Sequence, residues 1–339
     1  MSTAASAWLP TAPCTPERCA TRPGLRAAAA PRTAARLLAG LLTVLAGVLL
    51  TPLAPLAGAA VRARLTRLWC RAVVRAFGVR VRVAGATLAP GASLVVANHI
   101  SWLDIPLVAS VLPGRMLAKR EVRRWPLLGA LAARGGTVFL DRDRLRALPG
   151  TVREVADALR GGSRVVVFPE GSTWCGREQG RFRPAAFQAA LDAGVPVQPV
   201  RLGYAPTGPA AFVGDDPLLV SLWRIAAARG LTAEVRILPP VPAGRHTDRR
   251  ALALEAQTAI ARSVDGRSVT AAALDARSAR GRSVNGRNGA AAPVRATAAP
   301  VRPPAQTAVA SDSANRPAAS VHQCVNSSPA VTSSVRTPS

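Results

Sequence analysis

The apolar positions of the chain change their period along its length, and those changes mark out its elements. Residues 1–35 are rich in Ala, Pro, Thr and Arg without an apolar period and read as a disordered basic leader. Leu37 to Val61 then runs without a charge, bracketed by Arg36 and Arg62. A membrane helix needs about 20 apolar residues, so the run is long enough, but Pro52 and Pro55 predict a kink or an end at Leu50. From Val61 to Phe77 the spacing turns helical. Leu65, Leu68, Trp69, Ala72, Val73 and Ala76 form one stripe, with Arg62, Arg64, Arg67, Arg71 and Arg75 between them. That stripe suits an anionic lipid surface, the flank of a folded domain, or both.

Past residue 78, short apolar runs alternate with helical patterns. Strands are predicted at Val79–Val83, Leu94–Ala97, Thr137–Leu140, Val165–Phe168, Val195–Val200 and Ala233–Leu238. Helices are predicted from Pro106, over Trp125–Ala133, from a Thr151-Val-Arg-Glu154 capping box to Gly161, up to Gly194, and over Arg249–Arg262. Arg115–Arg124 reads as a basic connector, and His246 as a solvated loop residue. The alternation predicts an α/β domain. Beyond Ser263 the chain is Ala, Arg, Ser, Pro, Val and Thr with little period and reads as a disordered basic tail. The organisation is therefore leader 1–35, membrane anchor with amphipathic helix 36–77, domain 78–262 and tail 263–339.

Charge narrows the class of partner. The net charge is +26, and the two ends hold most of the excess. No helix-turn-helix, zinc-finger or RNA-binding signature accompanies it. An apolar segment beside the arginines favours an anionic membrane surface over nucleic acid. A signal peptide, with Ala57-Gly-Ala59 as its cleavage site, competes with a retained anchor, which the arginine-bearing leader favours. Arginine on both flanks leaves a span and a re-entrant hairpin equally open. Cys14, Cys19, Cys70, Cys175 and Cys324 are odd in number and scattered. They predict no metal-ligand set, and a free thiol at Cys175.

Candidate chemistry lies where strands end. Asn98-His-Ile-Ser-Trp-Leu-Asp-Ile-Pro106 follows the strand Leu94–Ala97 and sets His99 and Asp104 at a strand-to-helix corner. A neutral imidazole can take a proton from an alcohol while a carboxylate fixes its tautomer. A helix-capping aspartate beside a structural histidine is the plainer reading of that pair alone. Three further stretches follow in order: Gly136-Thr-Val-Phe-Leu-Asp-Arg142, Phe168-Pro-Glu-Gly-Ser-Thr173 and Val195-Pro-Val-Gln-Pro-Val200.

Together the four stretches resemble the motifs of the glycerolipid acyltransferases, the lysophosphatidic acid type above all, over roughly residues 75–240. The resemblance implies a single acyltransferase domain with a mixed β-sheet flanked by helices. It implies transfer of a fatty acyl group from acyl-CoA or acyl carrier protein to the free hydroxyl of a lysophospholipid. His99 and Asp104 would be the catalytic pair. Asn98, Arg142, Glu170, Gly171, Ser172 and Thr173 would bind substrate, Arg142 through the acceptor's phosphate, while Glu170 has loop ordering as its other reading. Backbone amides around Gly171 would hold the tetrahedral oxyanion. No cofactor or metal is implied, and the expected place is the cell membrane, with the domain on the cytoplasmic face.

One departure matters. Members that form phosphatidic acid usually carry an arginine soon after the glutamate-glycine-threonine motif, where this chain has Ser172, Thr173 and Trp174. Arg177, Arg181 or Arg183 would then supply the charge, or the acceptor is a zwitterionic lysolipid such as lyso-ornithine lipid. Outside enzymes, the rival reading is a non-catalytic basic protein that binds membrane or nucleic acid through its ends.

Overall fold

The computed structural model describes residues 11–20, 29–125 and 128–263. Strands β1 (Arg80–Gly85), β2 (Ser93–Ala97), β3 (Arg115–Lys119), β4 (Val138–Leu140), β5 (Arg164–Val167), β6 (Val197–Ala205) and β7 (Thr232–Ile237) form one sheet in the order β1-β7-β6-β2-β5-β3-β4. Neighbours are parallel except β6 and β7, so the sheet is mixed. Helices are α1 (Pro16–Cys19), α2 (Ala30–Leu50), α3 (Ala59–Ala76), α4 (Asp104–Ala109), α5 (Leu128–Arg134), α6 (Leu148–Arg160), α7 (Ala185–Ala193), α8 (Leu218–Ala227) and α9, over 249–263.

The alternation of side chains along a strand puts successive residues on opposite faces, and both faces of this sheet are covered. Leu94 and Val96 of β2 join Val165, Val167 and Val197 beneath Val155 and Leu159 of α6, Phe187 of α7 and Leu252 of α9. Val95 and Ala97 join Val166, Val200 and Leu202 beneath Val73 and Val74 of α3, Leu107 of α4 and Ile225 of α8. A strand buried on both faces reads as a continuous apolar run, which is why β2 and β5 stand out in the sequence.

Several expectations need correction. Arg115–Arg124 is not a connector but β3 followed by a 3-10 turn, Arg120–Arg124. Its side chains are only half-buried near the sheet's end, so no apolar run announces it. The capping box at Thr151 does not form, because Pro149 lets the helix start at Leu148. Thr151 Oγ1 instead donates to the Ala147 carbonyl at 3.5 Å. His246 is not solvated alone; its Nε2 is paired with Glu255. The leader is folded where it is described: residues 11–20 contain α1, and α2 starts at Ala30. Residues 264–339, with Cys324, lie outside the described residues.

The apolar segment turns back on itself. After α2 the chain takes a 3-10 turn at Thr51–Leu56, which holds Pro52 and Pro55, and returns as α3. The two helices pack antiparallel through small residues. A Cβ at Gly40 would lie 2.7 Å from the Phe77 ring, and one at Gly47 would overlap Trp69. Trp69 Nε1 donates to the Thr43 carbonyl at 2.8 Å. At the base, Arg36 donates to the carbonyls of Ala226 and Ala228 at 2.7 and 2.9 Å, tying α2 to α8. Within the chain the segment is therefore a helical hairpin of α2 and α3. The α3 stripe splits: Val73 is buried on the sheet, with Val74 from outside the stripe beside it, while Leu65 and Leu68 are exposed.

Candidate active site

Four parallel strands, β2, β5, β3 and β4, end at one edge of the sheet, and α/β sheets place ligand sites at such edges. His99 follows β2 and Glu170 follows β5; Lys119 closes β3, and Arg142 follows β4. The turn from β2 into α4 brings His99 Nδ1 to 2.8 Å from Asp104 Oδ2. That oxygen also accepts the amides of Ile100 at 2.6 Å and Ser101 at 2.8 Å. Tyr204 of β6 donates its hydroxyl to Asp104 Oδ1 at 2.6 Å. A carboxylate accepts readily through both oxygens, and four donors converge on this fully buried aspartate, three of them on Oδ2.

The imidazole is set by packing as well as by that bond. Phe168 stacks on it with centroids 4.2 Å apart and planes 18° apart. The His99 side chain keeps 19% exposure, and Nε2 is the nitrogen left for a substrate once Nδ1 donates to Asp104. Burial pushes the Tyr204 hydroxyl well above its ordinary value, and the Asp104 charge adds to that. Tyr204 therefore stays a donor.

Two residues expected to touch substrate are instead spent on the scaffold. The Asn98 side chain bonds the Leu202 backbone twice, accepting its amide at 2.8 Å and donating to its carbonyl at 3.0 Å, which sews β2 to β6. Glu170 is buried and accepts the amides of His99 at 2.7 Å and Gly180 at 3.0 Å. Burial pushes its carboxyl up to about 8, against the two amides that lower it. Loop ordering, the second reading of Glu170, is what this geometry shows.

The remaining expected residues open onto a groove of about 2800 Å³ shared by His99, Arg142, Gly171, Ser172 and Thr173. Gly171 has φ +76, a left-handed turn that suits glycine. Its amide is engaged by the Phe168 carbonyl at 3.1 Å, and the Trp174 amide by the His99 carbonyl at 2.8 Å. Ser172 and Thr173 lie between those two anchored points, and Ser172 Oγ is buried without a partner among the described residues. Arg142 donates one guanidinium N–H to the Gly171 carbonyl. Burial lowers the Lys119 ammonium, and the nearby Arg142 charge lowers it further, with Glu121 opposing. Of the three arginines expected to replace the missing one, only Arg183 lines this groove. Trp174 turns away from it and packs on Gly180. Hairpin side chains, among them Leu37, Leu41, Val44, Leu65 and Trp69, also line this groove.

The cysteines do not stay scattered. Cys14, Cys19 and Cys175 are buried with their sulfurs within 4.8 Å of one another, although each is a free thiol in this structure. Tyr204 and this cluster were both missed in the sequence. The chain's one tyrosine, at an alternate inward position of an apolar strand, was the available signal for the first.

Comparison with known proteins gives the family. The family model described as Acyltransferase matches residues 80–203. A lyso-ornithine lipid O-acyltransferase of Pseudomonas aeruginosa is 39% identical over 210 residues, which covers 60% of this chain and 80% of that protein. A 1-acyl-sn-glycerol-3-phosphate acyltransferase of Neisseria gonorrhoeae is 38% identical over 167 residues, 48% of this chain and 66% of that protein. The crystal structure of the 1-acyl-sn-glycerophosphate (LPA) acyltransferase of Thermotoga maritima shares the fold, with TM-score 0.52 at 22% identity, covering 69% of this chain and 98% of that one. The chain thus belongs to the Acyltransferase family, alongside lysolipid O-acyltransferases, and is itself an O-acyltransferase.

Proposed function

We propose that this enzyme moves a fatty acyl group from acyl-CoA or acyl carrier protein to the hydroxyl of a lysolipid, with His99 as general base. The observation that carries the reading is the His99–Asp104 contact in a groove lined by both cationic and apolar side chains. His99 Nε2 takes the hydroxyl proton, and the oxygen attacks the thioester carbonyl. Asp104 stabilises the imidazolium, and Ser172 with the adjoining amides faces the oxyanion, a contribution of about 3–4 kcal/mol where such donors are well placed. Collapse breaks the carbon–sulfur bond, and the departing thiolate takes the proton back from His99.

The acceptor is read as anionic, lysophosphatidic acid first. Lys119, Arg142 and Arg183 face the groove, and guanidinium binds phosphate in a planar, bidentate manner. Lyso-ornithine lipid is the second reading. The longer similarity to the Pseudomonas aeruginosa protein and the replaced arginine favour it, and its carboxylate would meet the same cations. The hairpin would lie in the cytoplasmic leaflet, where thioester donors are available.

The test offers both lysolipids, with both thioesters, to membranes carrying the wild type, His99→Ala or Arg142→Gln. His99→Ala is expected to lose at least about 100-fold in rate, the usual worth of a general base. Arg142→Gln should raise KM for the phosphate acceptor while kcat changes less. Unchanged turnover by His99→Ala would end the mechanism. An Arg142→Gln enzyme with unaltered KM for lysophosphatidic acid would end the phosphate assignment. Product on the ornithine lipid alone would move the acceptor and keep the base.

A further inference from the structure

The three-cysteine cluster lies outside the machinery described above. Cys14 and Cys19 come from the N-terminal segment, where Pro16 starts the single turn α1 and the Cys19 amide closes on the Thr15 carbonyl at 3.0 Å. Cys175 comes from the loop that follows the Glu170–Gly171 turn. Gly176 has φ +82, which folds the chain back and brings the amides of Arg177 and Glu178 towards the Cys175 sulfur. Amides aimed in this way at a sulfur are a common outer layer of metal–thiolate sites. Around the thiols, Ala211 and Val213 are buried, and Ala12 and Trp174 pack at the edge, so the pocket excludes water on that side.

The distances suit a single ion. Zinc–sulfur bonds are about 2.3 Å, so sulfurs in a tetrahedral site lie about 3.8 Å apart. The present separations, all within 4.8 Å, need only a small inward movement. A cluster of three thiols serves soft cations such as Zn²⁺, whereas hard cations seek oxygen.

We propose that Cys14, Cys19 and Cys175 bind one zinc-type divalent cation that clips the N-terminal segment onto the active-site loop. On binding, each thiol gives its proton to solvent, and the cation gains three thiolate bonds with a fourth position left for water or another donor. The clip joins a segment distant in sequence to the stretch running from Glu170, which braces the His99 amide, through Trp174, whose amide holds the His99 carbonyl, to Gly180.

The test uses the full chain purified in detergent under reducing conditions and supplied with Zn²⁺. Elemental analysis should find one equivalent of zinc per chain, falling to background in the Cys14→Ser, Cys19→Ser double variant and unchanged in Cys70→Ser. Replacement by Co²⁺ should give thiolate-to-cobalt charge-transfer absorption in the wild type, lost in Cys175→Ser. Chelation should also open the Arg18 bond to trypsin, since Arg18 lies within α1. Background zinc in the reconstituted wild type, or equal zinc in the double variant, overturns the proposal. So does a disulfide between any two of these cysteines in protein isolated with thiol trapping. Should the variants fail to fold, the cobalt spectrum of the wild type decides alone: no thiolate band, no site.

Discussion

At the scale of single residues, the least replaceable group besides His99 is the carboxylate of Asp104, because four donors converge on it. Hydrogen bonds to charged groups are worth about 1.5–3 kcal/mol each. Tyr204→Phe removes one while keeping the ring, so kcat should fall by about 10-fold to 100-fold with KM little changed; steady-state kinetics that show no fall in kcat would make Tyr204 a packing residue only. Glu170 makes a prediction in pH. Its carboxyl keeps its proton up to about 8 in the folded chain, against an ordinary value of 4.5. The stabilising contribution of the neutral group is whole below the lower value and is lost as pH rises through the upper one. Glu170→Gln, which sets an NH₂ against one of two amide donors, should cost about 1–3 kcal/mol. Melting temperatures of both proteins across that window should converge as pH rises; a constant gap would show that Glu170 does not titrate there. The sequence pointed to the His99–Asp104 pair because its members lie only five positions apart. It could not point to Tyr204, which lies 100 residues from Asp104 and is joined to it only by the pairing of β6 with β2.

At the scale of elements, β6 does more than wall the groove. Its backbone at Leu202 holds Asn98, and two residues on, Tyr204 holds Asp104, so one face of one strand sets both ends of the β2 turn. The strands β2 and β5 were legible because burial on both faces makes them apolar after their first residue. Strand β6 was legible only at its start, because Arg201 breaks the apolar run before the strand ends at Ala205. Helix α8 was not, since its pattern is inverted: Ser221 and Arg224 are buried while Leu219, Val220 and Trp223 are exposed. The hairpin was half legible: the prolines marked the turn, but the direction of return depends on Gly40 and Gly47 fitting against Phe77 and Trp69. Gly47→Val should therefore push α2 off α3 at a cost of about 1–3 kcal/mol, the usual penalty of overpacking. A thermal unfolding midpoint equal to that of the wild type would show that the helices do not pack here.

At the scale of the whole molecule, exposed apolar residues gather on the hairpin and on the helix it is tied to. Leu49, Leu50 and Leu56 at the tip, Leu65 and Leu68 on α3, and Leu219 and Trp223 on α8 are all open to solvent in the isolated chain. Exposed apolar surface of this kind marks an interaction site, and with a lipid acceptor as proposed it would face the membrane. Replacing Leu219 and Trp223 by Glu should weaken sedimentation with anionic vesicles and slow transfer to vesicle-borne acceptor, while turnover of a short-chain, water-soluble acceptor stays near the wild-type value. Equal vesicle binding would remove α8 from the membrane face.

Apolar side chains of the hairpin line the groove, and this has a kinetic meaning. A lysolipid can keep its tail in the leaflet while its hydroxyl reaches His99, and the product can leave sideways without crossing water. The concentration that governs the rate is then a mole fraction in a plane. Diluting the acceptor with inert lipid should slow the enzyme at constant bulk concentration, and adding buffer should not.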